Sequence, residues 1–105
     1  MKTGIEFITE ERQRQIEVEG WTLRHDDKHC CGELADAAVC YATRGYWRNT
    51  TRNPYFPMIW PFDDAQWKPM DTNLKGEEYL NARIKELSKA GALISAEIDR
   101  LQRMK

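Results

Sequence analysis

One feature narrows the folds open to this chain more than any other: Leu80, Ile84, Leu87, Gly91, Ile94, Ile98 and Leu101 follow one another in alternating steps of four and three. At that spacing a helix returns its side chains to one narrow stripe, and the pattern holds for about three heptads. The run predicts a helix over residues 76–103 with an apolar seam along 80–101. Gly91 falls inside the seam, where the missing side chain lets a neighbouring helix come close. The element that covers the seam is either another helix of the same chain or a second copy.

Two further helices are expected. Thr3 with Glu6 matches a capping box and Gly20 supplies a stop, giving a polar covering helix over about residues 3–19. A second begins where Asp26 or Asp27 can cap it and runs over 26–44, with Cys30, Leu34, Ala37, Ala38 and Tyr41 at helical spacing as its buried stripe and Gly45 as its end. Between residues 46 and 73 the periodicity stops. Pro54, Pro57, Pro61 and Pro69 punctuate a run that holds Trp47, Tyr55, Phe56, Trp60, Phe62 and Trp67. Disordered linkers are poor in aromatic rings, so this loop is expected to pack on the helices. The fold expected is therefore all-α: one domain over 1–105, a small bundle of about three helices with a Pro/aromatic-rich loop packed on it. A chain of 105 residues lies near the lower end of what buries a stable core alone. Homo-oligomerisation through 80–101 follows as an expectation.

Composition excludes several functions. Charged residues make up 31% of the chain yet sum to a net charge of -1, which leaves no basic surplus for generic nucleic-acid binding. No stretch approaches the length of a membrane span, and the first residues lack the apolar centre of a signal peptide. Of the three cysteines, Cys30 and Cys31 are adjacent and Cys40 stands apart, which is neither a disulfide framework nor a paired CxxC zinc site. Free thiols in the cytosol are expected.

The densest chemistry lies between His25 and Asp36. On a continuous helix Asp26, His29, Glu33, Asp36 and Cys40 fall within an arc of about 80°. Carboxylates and an imidazole on one flank can hold a divalent cation, magnesium or manganese through Asp26, Glu33 and Asp36, or zinc or iron with His29. The same residues also read as a well-capped helix start, with acids at the positive end of the helix dipole. The HDDKH string at 25–29 evokes the HD signature of metal-dependent phosphohydrolases, but His25 and His29 are the only histidines and that fold needs more. Arg52, Trp60, Trp67 and Lys68 offer ring faces and cations together, as a nucleobase with phosphates requires. With His25, Asp26, His29 and Glu33 they form the candidate ligand-binding set, although the tryptophans also suit a loop-borne minicore. Glu97 and Asp99, two apart on a helix, diverge and do not join one site.

Glu33 and Asp36 form an ExxD pair on a helix, and in this the chain resembles the small all-helical nucleoside triphosphate pyrophosphohydrolases of the MazG type. That resemblance implies magnesium as cofactor and an EExxE motif on the preceding helix. Glu10 and Glu11 start such a motif, but Arg14 stands where the third acid belongs. Over most of its length the chain is more similar to a group of short phage and prophage proteins. The shared layout is HDDxHxxGELxxAAxxYA, here at 25–42, then WPxxxxxWKP at 60–69 and KAGALIxAEIxRL at 89–101. It implies a phage-borne accessory protein and brings no activity of its own. Three functions follow: a non-enzymatic phage protein that binds a nucleotide-like molecule or blocks a host defence protein; a MazG-like pyrophosphohydrolase using Asp26, Glu33, Asp36 and Glu10; and a protein–protein interaction module gripping its partner with the aromatic loop.

Overall fold

A computed structural model describes residues 1–48 and 60–105. Arg52, Pro54, Tyr55, Phe56 and Pro57 lie outside the described residues. Within them the chain is all-α, with no strand. Among the described residues five helices occur, α1 (Gly4–Glu17), α2 (Leu23–Asp27), α3 (Glu33–Ala42), α4 (Gly45–Arg48) and α5 (Gly76–Arg103), together with a short 3-10 turn at Asp64–Gln66. No described helix is long and apolar enough to cross a membrane.

The two ends of the chain follow their local signals. Thr3 caps α1 as the sequence predicts: its hydroxyl accepts from the Glu6 N–H while the Glu6 carboxylate accepts from the Thr3 N–H, 3.2 Å each. α5 spans Gly76–Arg103, the range its periodicity gives.

The expected helix over 26–44 is instead divided. Thr22, not Asp26 or Asp27, caps α2, accepting from the His25 N–H at 3.3 Å, so that helix starts three residues early. It then stops at Asp27. Gly32 takes a left-handed φ of 89°, which continuing α-helix does not allow, and α3 starts afresh at Glu33. Two consequences correct the sequence reading. Cys30 lies exposed on the connecting turn and not in the buried stripe, whereas Leu34, Ala37, Ala38 and Tyr41 are buried as expected. The single flank carrying Asp26, His29, Glu33, Asp36 and Cys40 does not exist, because its first two members sit before the break.

α5 is the element on which the others pack: α1 lies along one side of it and α3 along another. Leu34, Ala37, Ala38 and Tyr41 of α3 meet Ala90, Leu93 and Ala96 of α5, and Trp21, Trp60, Phe62 and Trp67 close over this core. Small residues on both helices let their backbones approach, while the rings supply the bulk. Gly91 is the contact point for α1, since a Cβ there would lie 2.5 Å from Ile8 Cδ1. Apart from Gly91, the heptad row stays uncovered by the described residues: Leu80, Ile84, Leu87, Ile94, Ile98 and Leu101 are all exposed.

Buried charge fixes the remaining pieces. The Glu86 carboxylate, 3% exposed, accepts from Arg48 (2.8 Å), Arg83 (3.1 Å) and the Met70 N–H (2.9 Å). The two arginines also donate to the Tyr41 carbonyl, 2.9 Å each, and Arg83 reaches that of Ala42. They thereby satisfy the carbonyl groups that the end of α3 leaves open and place positive charge at its negative pole. One carboxylate thus ties α4, α5 and the segment after Trp67 to the end of α3.

Candidate functional site

A run of stacked and edge-on rings crosses the face opposite the exposed seam. Trp21 stacks on His25 (5.5 Å, 3° between planes); His25 meets His29 edge-on at 4.8 Å, and His29 meets Phe62 at 4.9 Å. Phe62 then meets Trp60, which packs with Trp67 (4.9 Å) and Tyr41 (5.7 Å). The order follows from local structure. α2 carries His25, and the turn after it, where the His29 N–H donates to the Asp26 carbonyl at 3.0 Å, sets His29 beside it; the Trp60 N–H donates to the Asp63 carbonyl at 3.0 Å, which holds the segment that carries Phe62 against His29.

Two clefts flank Trp21 and share it and Gln66 as a wall. One, about 280 Å³, lies between Trp21, His25, His29 and Phe62, with Lys28 at its edge. The other, about 230 Å³, lies between α1, α5 and the 3-10 turn, where Glu11, Arg14 and Gln15 face Tyr41, Lys68 and Lys89. In this second cleft the Glu11 carboxylate, 8% exposed, accepts two bonds from Arg14 (2.7 and 2.8 Å) and one from the Gln15 amide (3.1 Å). Arg14 also donates to Glu19 at 2.9 Å. Pairing with Glu11 raises the Arg14 pKa, and Arg14 in turn lowers that of Glu19. Arg14 is thereby committed to two carboxylates. Lys68 and Lys89 are not: neither ammonium lies within ion-pair distance of a described acid, and Lys89 sits 5.1 Å over the Tyr41 ring. Burial lowers the Lys89 pKa, with the Lys85 charge adding to the effect, and burial raises that of Tyr41, whose hydroxyl accepts from the Lys68 N–H at 3.4 Å.

The residues singled out from the sequence are distributed over different tasks. His25 and His29 line the ring cleft, and Lys68 lines the cationic one. Asp26 is fully buried, bonded to Arg12 (3.0 Å) and to His25 Nδ1 (3.2 Å), and so joins α2 to α1. Glu33 lies 3.4 Å from His29 Nδ1 and accepts from the Cys31 N–H at 2.9 Å. Asp36 is exposed on α3 and Cys40 is buried beneath it. Trp60 belongs to the ring pack, whereas Trp67 also borders a larger hollow of about 610 Å³ beside Arg44, Arg48 and Arg83. Arg48 and Arg83 are spent there on Glu86 and on carbonyls. Arg52 is outside the described residues.

The set Asp26, His29, Glu33 and Asp36 as placed does not fit a magnesium ion. Both Asp26 oxygens are taken by Arg12 and His25, Glu33 is turned to His29 and Cys31, and among the described residues no three His, Cys, Asp or Glu side chains share a metal-holding position. Glu10 pairs with Lys2 at 2.8 Å and Glu11 with Arg14, so the two acids of the partial EExxE motif are tied to different cations.

Sequence reasoning missed Gln15, Trp21 and Lys89. Glu11 and Gln15 are one turn apart, which was legible, but Lys89 lies on the α5 face directly away from the seam and reads as a solvated charge until the loop folds over it. Comparison with protein-family models, with curated proteins and with solved structures finds no match to this chain.

Proposed function

We propose that this chain is a phage-encoded accessory protein without catalytic activity that captures a nucleotide-like small molecule in the host cytosol and in this way counters a defence system that depends on it. The observation that carries the reading is the pair of clefts sharing the Trp21 wall, one lined by rings and the other holding two ammonium groups with no carboxylate partner among the described residues. A base slots against His25, His29 and Phe62, where stacking contributes about 1–3 kcal/mol per base. Its phosphate lies against Lys68 and Lys89, because the third cation, Arg14, is already neutralised by Glu11 and Glu19. The protein works as a homo-oligomer joined through residues 80–101.

Thermal-shift and calorimetric titration against linear and cyclic nucleotides tests this. A ligand at 100 times its Kd adds about 2.7 kcal/mol of stability, and the Lys68→Met/Lys89→Met pair is expected to remove the shift without lowering the stability of the free protein by more than about 1 kcal/mol. Chromatography after incubation with magnesium should return the nucleotide unchanged. Release of pyrophosphate would favour the MazG-type reading, and no response to any nucleotide would end the capture reading.

A further inference from the structure

The exposed row on α5 is where the fold leaves most unfinished. Leu80, Ile84, Leu87, Ile94, Ile98 and Leu101 are each 39–58% exposed. α1 bounds the row on one side, with Ile8 filling the notch at Gly91, and α3 bounds it on the other. An apolar groove of about 300 Å³ opens between Phe7 and Ile8 of α1 and Ile84 and Leu87 of α5. Six half-exposed aliphatic side chains in one strip present on the order of 500 Å² of apolar surface, the upper end of what a monomer carries. With its polar rim this approaches the roughly 800 Å² per partner of a standard interface.

Resting on the homo-oligomer reading above, we infer that the occupant is a single second copy, packed antiparallel about a twofold axis at Gly91. Three features of the chain select this geometry. The row is nearly symmetric about Gly91, falling 4, 7 and 11 residues before it and 3, 7 and 10 after it: reversed on itself it sets Ile84 opposite the partner's Ile98 and, one residue out of register, Leu87 beside the partner's Ile94 and Leu80 beside the partner's Leu101. Charge agrees at the ends of the row: Arg100 and Arg103 are taken up within the chain by Glu97 and Asp27, but Glu77 and Lys105 are exposed and have no ion pair among the described residues. The same register brings Glu77 opposite the partner's Lys105, whereas a parallel pair sets Glu77 beside Glu77 and Lys105 beside Lys105. Helix dipoles favour the antiparallel arrangement too. Finally, α1 rises beside the row, so the contact is a patch formed by two helices and not a bare rod. An isologous twofold contact buries the patch on both copies at once and closes the assembly at two. The partner's Ile94 and Ile98 lie over the groove edged by Ile84 and Leu87.

Light scattering and disulfide mapping test this on the full chain, with Cys30→Ser and Cys31→Ser removing the exposed native thiols. The expected mass is twice the 12.4 kDa of one chain. Leu80→Cys and Leu101→Cys proteins, one of them tagged, are expected to crosslink when mixed and not when alone. Ile94→Glu is expected to raise the dimer Kd at least about 100-fold by placing a charge in the apolar contact. Glu77→Lys weakens the dimer about threefold to tenfold, and adding Lys105→Glu in the same chain restores it. Leu101→Cys crosslinking to itself, or a mass of three or more chains, overturns the antiparallel dimer and leaves self-association standing. A single-chain mass at all concentrations up to about 100 μM, far above the Kd of a stable interface, overturns both.

Discussion

Replacing Gly91 with alanine pits two effects of known size against each other. In an α-helix interior alanine is favoured over glycine by about 1 kcal/mol, so Gly91→Ala stabilises α5 wherever the new methyl group has room. Here it does not. The added Cβ meets Ile8 Cδ1 at 2.5 Å, Cγ1 at 2.6 Å and Cγ2 at 3.3 Å. Contact with both branches means that swinging the end of the side chain does not clear it, and a β-branched residue in a helix has one strongly preferred χ1. Overpacking of this kind costs about 1–3 kcal/mol. The balance is a net loss of about 1 kcal/mol, or roughly 4–8 °C in Tm for a domain of this size. Ile8→Ala removes the obstacle, so the double variant should recover the alanine gain and show a coupling of about 1–3 kcal/mol between the two sites. Urea denaturation followed by far-ultraviolet dichroism at one fixed protein concentration measures all four corners of the cycle. A Gly91→Ala protein more stable than wild type, with additive behaviour alongside Ile8→Ala, would show that α1 does not cross α5 at this glycine.

Three other outcomes are expected. Glu86→Gln leaves Arg48 and Arg83 without their buried counter-charge and should cost about 3 kcal/mol in urea denaturation; a loss below 1 kcal/mol contradicts the role assigned to this carboxylate. Asp26→Asn should cost about 2–3 kcal/mol by stranding Arg12 while leaving the Kd of any captured nucleotide within about twofold at a temperature where the variant is folded, and a large rise in Kd with unchanged stability would instead make Asp26 a ligand contact. Burial pushes the Cys40 thiol up to about 11 from its ordinary 9. Its neutral form is the one the fold favours, so its contribution is complete below pH 9 and is lost as pH rises from 9 to 11, in total about 2–3 kcal/mol at 1.36 kcal/mol per unit. Comparing wild type with Cys40→Ala across that window isolates it from Tyr41 and Lys89. At pH 8, iodoacetamide should label Cys30 and Cys31 and spare Cys40 until the protein unfolds, and rapid labelling of Cys40 in the folded protein contradicts its placement.

Much of the architecture was legible because it is written locally. The capping box at Thr3, the stripe from Leu34 to Tyr41 and the long periodic run of α5 each involve residues within a few turns of one another. The break at Gly32 was not, because the residues before and after it keep helical spacing and only the left-handed backbone at that glycine reveals the interruption. That one turn dissolves the shared acidic flank and reassigns Asp26 from ligand to tether. The second cleft was illegible for a different reason: Gln15, Lys68 and Lys89 come from three separate parts of the chain and meet only when the ring-bearing segment lies across α1 and α5. The seam was visible as a pattern, but whether α1 would cover it depended on where that helix settled, and it meets the seam at Gly91 while leaving the six aliphatic members exposed.

The adjacent acids of α2 carry a consequence for how the protein assembles. Asp26 holds Arg12 on α1, and Asp27 holds Arg103 near the end of α5 at 2.7 Å, a partner 76 residues away. A five-residue helix has no stability of its own in water, so α2 gains order only after both long helices have docked. It is therefore among the last elements to form and the first to open, and its amide protons should exchange through small local openings well before those of α3 and α5. His25 travels with it and His29 hangs from its end through the Asp26 carbonyl, which makes the ring cleft the most readily opened part of an otherwise firmly held core.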